Sequence, residues 1–408
     1  MDTMVVLILS ILLLLSYFFE LTSVKSKIPT VILLIILGWL IKQGILFLGI
    51  SLPPIENTLQ SIGTIGLILI VFEATLDLRY SHDKLNLFLK TILFSMVSIL
   101  LFSFAFAFIF MYWKGTSFFI SFVNAVPFSI VSSAIAIPST QHYKKIKDFI
   151  IYDSTFSDIF GILIFNLVLN LNGNAFFKGT TVYALEILLL LFFSLIAAIL
   201  LAVYIRKIKH HVKFIPILIF IIFFYELMKL LQLPGLIFVL IFGLFIANFD
   251  YIIRIHEKHF KRFGVVLEEI PKFKGIVSEF TFLVRSVFFL LLGYSISLSM
   301  DEIIASLPVV CIIVLLIFIV RYLSLLLFRI NVFPSLFVAP RGLITIVLFF
   351  SIPTSLNMSM VNKNVIILII LITTLIMSLA LYFSHSSLNM DDEHSIHSID
   401  EDIGTDVS

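Results

Sequence analysis

Charge is scarce in this 408-residue chain, where Asp, Glu, Lys and Arg together make up 13%, against roughly 25% in a soluble domain. With 61% hydrophobic residues and a mean hydropathy of +1.17, that shortage excludes a soluble globular protein and leaves no polar domain of useful size. Cysteine is scarcer still. Cys311 is the only one and lies in an apolar run, so no internal disulfide can form and no metal cluster is expected. The chain has no phosphate-binding glycine loop and no nucleophile triad, which argues against an ATP-driven pump or a membrane enzyme. No cofactor and no nucleic-acid partner are expected; the net charge of +2 itself says nothing about nucleic acid, and the basic residues matter by position. Residues 4–19 lack the basic start and small-residue cleavage site of a signal peptide, so they are read as a first transmembrane helix.

What the chain has in abundance is apolar runs. They fall near 4–22, 28–48, 58–76, 87–113, 118–140, 148–171, 181–205, 214–231, 234–249, 275–299, 303–328, 334–353 and 364–383, each at or near the roughly 20 residues that span a bilayer. The expected fold is an all-α membrane protein of about thirteen transmembrane helices, its 45 phenylalanines suited to a lipid-facing surface. The weakest division is between the eighth and ninth runs, at Leu233-Pro234-Gly235. Lys and Arg concentrate in the odd-numbered loops, as in Lys144, Lys145 and Lys147 or Arg206, Lys207, Lys209 and Lys213. By the positive-inside rule the amino terminus is outside and the carboxyl terminus cytoplasmic. Residues 250–273 read as a cytoplasmic interfacial helix. The acidic stretch 384–408 reads as a disordered tail, and a pH-sensing role for its His385, His394 and His397 has no support in the sequence.

Within these runs the ionisable residues are few and placed unevenly. Asp153 and Asp158 lie in the first half, and Arg285, Arg321 and Arg341 in the second. Burying such a group at bilayer depth costs roughly 2.5–3.5 kcal/mol on insertion scales, so it usually persists for an ion path or a counter-ion. At about 100° per residue, Asp153 and Asp158 point roughly 140° apart on a helix, whereas Ser154 and Asp158 are only about 40° apart. One carboxylate can thus pair with a neighbouring helix while the other faces a site beside a hydroxyl. Two runs are also interrupted. The fifth carries Val131-Ser132-Ser133 and then Pro138, and the twelfth carries Pro334 and Pro340-Arg341-Gly342. Broken helices at matching places in two halves suggest two inverted six-helix repeats with the site at the midplane. Runs near 87–171 and 303–383 are expected to form the ion-carrying core, those near 4–76 and 214–299 a scaffold, and 181–205 a linker helix, all within a domain of residues 1–383.

The chain resembles the monovalent cation:proton antiporter superfamily, which includes the sodium/proton exchangers. Six features carry the resemblance in the family's order. They are Lys27-Ile28-Pro29 leading to Gly38, Phe72-Glu73-Ala74-Thr75-Leu76-Asp77-Leu78, Val131-Ser132-Ser133-Ala134-Ile135-Ala136, Asp153-Ser154-Thr155-Phe156-Ser157-Asp158, Arg321, and Arg341-Gly342. The resemblance implies that Asp158 is the residue binding ion and proton, that Ser154 is a ligand, and that Ser132 stands where the unwound segment carries a threonine. It implies a structural ion pair between Asp153 and Arg321, and a homodimer. Three departures stand out. Asp153 stands for the family's Glu, one methylene shorter, which bears on the length of its pair with Arg321. Ser157 for its Asn or Asp and Ser133 for the Asp of the unwound segment remove ligand capacity and bear on ion selectivity.

The function expected is secondary-active exchange of Na+ or K+ for H+ by alternating access, electroneutral because only Asp158 changes its load, in the plasma membrane of a microbial cell. No metal is expected beyond the transported cation. The alternative, motivated by Ser157 and Ser133, is a non-transporting membrane sensor or regulatory protein that keeps the fold. A channel suits a deep single carboxylate beside broken helices less well. For Arg285 three roles stand open: approach to Asp158 as a rival cation, pairing with Glu279, or capping of carbonyls at a broken helix. Glu73 is read as an interfacial carboxylate rather than a ligand.

Overall fold

A computed structural model describes residues 2–26, 29–47, 56–78, 85–141, 143–171, 176–207, 214–231, 233–248, 264–296, 300–358 and 360–404. Among them the regular secondary structure is helical: α1 (Asp2–Ser26), α2 (Thr30–Phe47), α3 (Glu56–Asp77), α4 (Leu85–Lys114), α5 (Phe118–Ser129), α6 (Ser133–Thr140), α7 (Lys144–Leu171), α8 (Phe176–Lys207), α9 (Ile215–Leu230), α10 (Gly235–Ala247), α11 (Gly264–Tyr294), α12 (Met300–Leu327), α13 (Leu343–Phe350) and α14 (Lys363–Gly404). A helix satisfies every backbone group within its own segment, which is why an apolar chain in lipid takes this form. Among the described residues eight spans are long and apolar enough to cross a membrane, with α5 and α6 forming one of them.

The helices gather into two groups. In the first, α11 packs along α2 and α3, and α10 packs on α3 and α9. In the second, α4 packs on α5, α7 and α12, while α6 lies on α7 and α14 on α12. α8 touches α10 on one side and α7 on the other, and α13 reaches α3, α5 and α7. The α2–α11 crossing is close because both helices present glycine there. A Cβ at Gly38 would collide with the Leu290 carbonyl, and one at Gly293 with the Ile35 carbonyl. Small residues allow such backbone approach where lipid supplies no hydrophobic drive to association. Gly293→Ala is therefore expected to destabilise the protein by about 1–3 kcal/mol, the usual cost of overpacking. An unchanged melting temperature in detergent would show that the two backbones do not touch.

Three boundaries differ from those read in the sequence. The break in the twelfth run lies where Pro334 and Pro340-Arg341-Gly342 placed it but is longer than a local interruption: residues 328–342 carry no regular helix, and α-helix is confined to the eight residues of α13. Pro334 and Pro340 supply no N–H donor there, and a hydropathy window does not register a missing donor. The interfacial helix expected over 250–273 is, from Gly264 onward, continuous with α11; its earlier part lies outside the described residues. Within its described part Lys272 pairs with Glu269, and just beyond it Lys274 pairs with Asp77 on α3. Finally, α14 runs on to Gly404, so the stretch expected to be disordered from residue 384 is helical as far as that glycine. No proline or glycine interrupts it earlier.

Candidate functional site

The site is built where α5 stops. Ser129 ends α5 and Ser133 begins α6, leaving residues 130–132 outside any helix, with Ile130 and Ser132 extended at ψ 127° and ψ 113°. Three consecutive N–H groups then need partners from outside the helix, because a buried unpaired donor is costly. Each has one. Val131 donates to the Ser157 hydroxyl at 2.9 Å, Ser132 to the Pro340 carbonyl at 2.9 Å, and Ser133 to Oδ2 of Asp158 at 3.4 Å. The break in the fifth crossing is thus held jointly by α7 and by the break in the twelfth. Gly342 permits that approach, since a Cβ there would strike the Ser132 hydroxyl.

Arg341 completes the exchange of partners. In a continuous helix the Phe128 carbonyl would accept from Ser132, whose N–H has left for Pro340. Instead it accepts from Nε of Arg341 at 2.5 Å, while Nη1 of the same guanidinium donates to the Ala339 carbonyl at 3.0 Å. A guanidinium placed on the carbonyl end of α5 also complements the helix dipole. In the sequence Arg341 was legible as a charge at the break in the twelfth run and as part of the family resemblance, but not by the carbonyls it serves.

The two carboxylates of α7 have different surroundings. Asp158 is 2% exposed, and its Oδ1 has no hydrogen-bond partner among the described residues. Asp153, equally buried, lies with Oδ2 2.9 Å from Nη2 of Arg321, an ion-pair distance without the alignment of a hydrogen bond. Its Oδ1 accepts from Ser95 at 3.1 Å. Arg321 donates through Nε to the Ser335 carbonyl at 2.8 Å and lies 5.8 Å from the ring centre of Phe94. One charge is therefore matched and one is not.

The other expected residues separate. Ser133 meets Asp158, and Ser132 and Ser157 hold the break. Ser154 turns its hydroxyl back to the Ile150 carbonyl at 2.7 Å, the usual habit of a serine inside a helix. Arg285 donates to the Ala134 carbonyl at 3.0 Å and pairs with Glu20 at 3.7 Å, not with Glu279. Glu20 was missed: near the end of the first run, it carries no local pattern that marks it. Asn124 was missed too; its amide donates to the Leu356 carbonyl at 2.7 Å and ties α5 to the turn after α13.

Comparison with known proteins bears on the fold and the family. No curated protein matches the sequence. Two solved structures of MjNhaP1, a sodium proton antiporter from Methanocaldococcus jannaschii, share the fold. The structure at pH 8 has a TM-score of 0.64 at 20% identity, covering 93% of this chain and 100% of that one. The electron-microscopy structure has a TM-score of 0.65 at 18% identity, covering 95% and 96%. The family described as "Sodium/hydrogen exchanger, transmembrane" matches residues 8–383. The chain belongs to that sodium/hydrogen exchanger family.

Proposed function

We propose that this protein exchanges a monovalent cation, Na+ or K+, for H+ across a membrane by alternating access, with Asp158 carrying one or the other. The observation that carries the reading is the contrast between the two buried carboxylates. Asp153 faces Arg321 at 2.9 Å, whereas Asp158 has a free oxygen and only Ser133 as an addressed partner. A cation or a proton supplies what Asp158 lacks. Carbonyl groups at the break, no longer consumed by a continuous helix, and the Ser133 hydroxyl offer further oxygen ligands of the kind that alkali cations take in broken-helix transporters. The serines that replace the family's Asp and Asn both take part in the break, so the site keeps its frame without them.

In this reading α4–α7 with α12–α14 form the moving core, and α1–α3 with α9–α11 the scaffold. The amino terminus is outside and the carboxyl terminus cytoplasmic. Each half-cycle moves one positive charge on Asp158, so the net charge per turnover is zero. Were Asp153 also to exchange its proton, one net charge would cross, worth about 2.3 kcal/mol per 100 mV. The expected result is that clamping proteoliposomes at different potentials leaves the rate and end-point of sodium/proton exchange unchanged. The clamp is potassium with valinomycin, used once potassium has been shown not to be a substrate. A shift with potential would return Asp153 to the ion site.

A further inference from the structure

Pro138 leaves a carbonyl of α6 without its helical donor. In an α-helix the N–H of residue 138 would bond to the carbonyl of Ala134, and proline has none. That carbonyl accepts instead from Nη1 of Arg285, on α11, at 3.0 Å. The other terminal nitrogen of Arg285 lies 3.7 Å from Oε1 of Glu20 on α1. Oε2 of Glu20 in turn accepts from the Thr30 hydroxyl on α2 at 2.6 Å. Four helices thus meet around one guanidinium. Ala134 follows directly on Ser133, whose N–H addresses Asp158, so whatever holds the Ala134 carbonyl also holds the donor over the carboxylate.

We propose that Arg285 is a positioning residue of the ion site: it replaces the hydrogen bond that Pro138 withholds from α6, and Glu20 orients it from α1. The effect on the cation rests on the antiport reading given above; the positioning of α6 does not. An intrahelical bond would stabilise α6 alone. A bond from α11 joins the broken helix to the other helix group, so movement of α6 against α11 must stretch or release it. The Glu20 contact is the weaker part, because its side chain is 32% exposed and a partly exposed pair at that distance adds little.

Restoring the missing donor tests the proposal. Pro138→Ala gives residue 138 an N–H, so the Ala134 carbonyl has a partner without Arg285. Arg285→Met alone is expected to lower the melting temperature in detergent and to raise the apparent KM for the exchanged cation about tenfold, the scale of losing a charge-assisted hydrogen bond. In the Pro138→Ala background the same substitution is expected to change both far less. Glu20→Gln, which keeps an acceptor for Thr30, is expected to give a smaller shift in the same direction. Additive melting penalties would show that Arg285 does not serve that carbonyl. A KM unmoved by Arg285→Met would overturn its role at the ion site even with a coupled melting cycle. If Arg285→Met does not fold, Arg285→Lys, a point charge with one reach, takes its place in the same cycle. Should the unaltered protein exchange no cation, the antiport reading falls, and the melting cycle alone still decides the positioning.

Discussion

Asp158→Asn is expected to abolish cation/proton exchange while leaving the fold intact. The substitution is nearly isosteric, and the amide oxygen can still accept from the Ser133 N–H that reaches Asp158 at 3.4 Å. What it removes is a group that can hold a proton in one half-cycle and a cation in the other, since an amide neither titrates nor carries the charge that draws a cation. In a scheme with one load-bearing carboxylate nothing substitutes for it. The rate should fall at least about 100-fold, the scale set by losing about 2.7 kcal/mol or more from the rate-limiting free energy. Proteoliposomes carrying the variant with an internal pH dye should show no cation-driven pH change, and the purified variant should melt near the temperature of the unaltered protein. Burying a neutral amide in place of an unmatched carboxylate also removes a desolvation penalty, so a modest rise in melting temperature fits equally well. Exchange at the original rate would mean that Asp158 is a packing carboxylate and that the ion travels elsewhere.

How far the sequence led depends on what kind of signal each feature leaves. Hydropathy runs mark spans because every residue in lipid contributes, and the helix boundaries follow them closely in α2, α3 and α4. A count of apolar residues passes over missing donors, but residue type does not: Pro334 and Pro340 marked the break in the twelfth run, and only its extent, residues 328–342, was not legible. Residue type announced Ser157, but not the direction of its hydroxyl, which accepts from Val131. Ser154 at i−4 from Asp158 has the right face for a ligand, yet its hydroxyl satisfies Ile150 one turn back. Partners far apart in the chain left no local mark at all. Glu20 and Arg285 are 265 residues apart in number, and only the folded chain shows that the donor missing at Pro138 comes from Arg285. Charge complementarity between the two halves was legible; which arginine meets which carboxylate was implied by resemblance for Arg321 and open for Arg285.

Removing either partner of the Asp153–Arg321 pair should destabilise the protein strongly, and removing both should cost less than the sum. Asp153 is 2% exposed and Arg321 5%, so each single truncation leaves a charge in a dry interior, typically at a cost of about 3–5 kcal/mol. The remaining contacts soften but do not cancel this. Without Arg321, Asp153 keeps the Ser95 hydroxyl at 3.1 Å; without Asp153, Arg321 keeps the Ser335 carbonyl at 2.8 Å and the face of Phe94. Neutral or aromatic partners stabilise a full charge less than an opposite charge does at 2.9 Å. The pair also lacks hydrogen-bond alignment, which makes its attraction Coulombic rather than directional and tolerant of small shifts of α7 against α12. Melting in detergent of Asp153→Ala, Arg321→Ala and the double variant measures the coupling. A double variant that recovers a large part of one single penalty marks the two as partners. Strictly additive penalties would separate them. Asp153 would then stand as a second carboxylate able to carry a load, the exchange would move net charge, and the insensitivity to membrane potential expected above would fail with it.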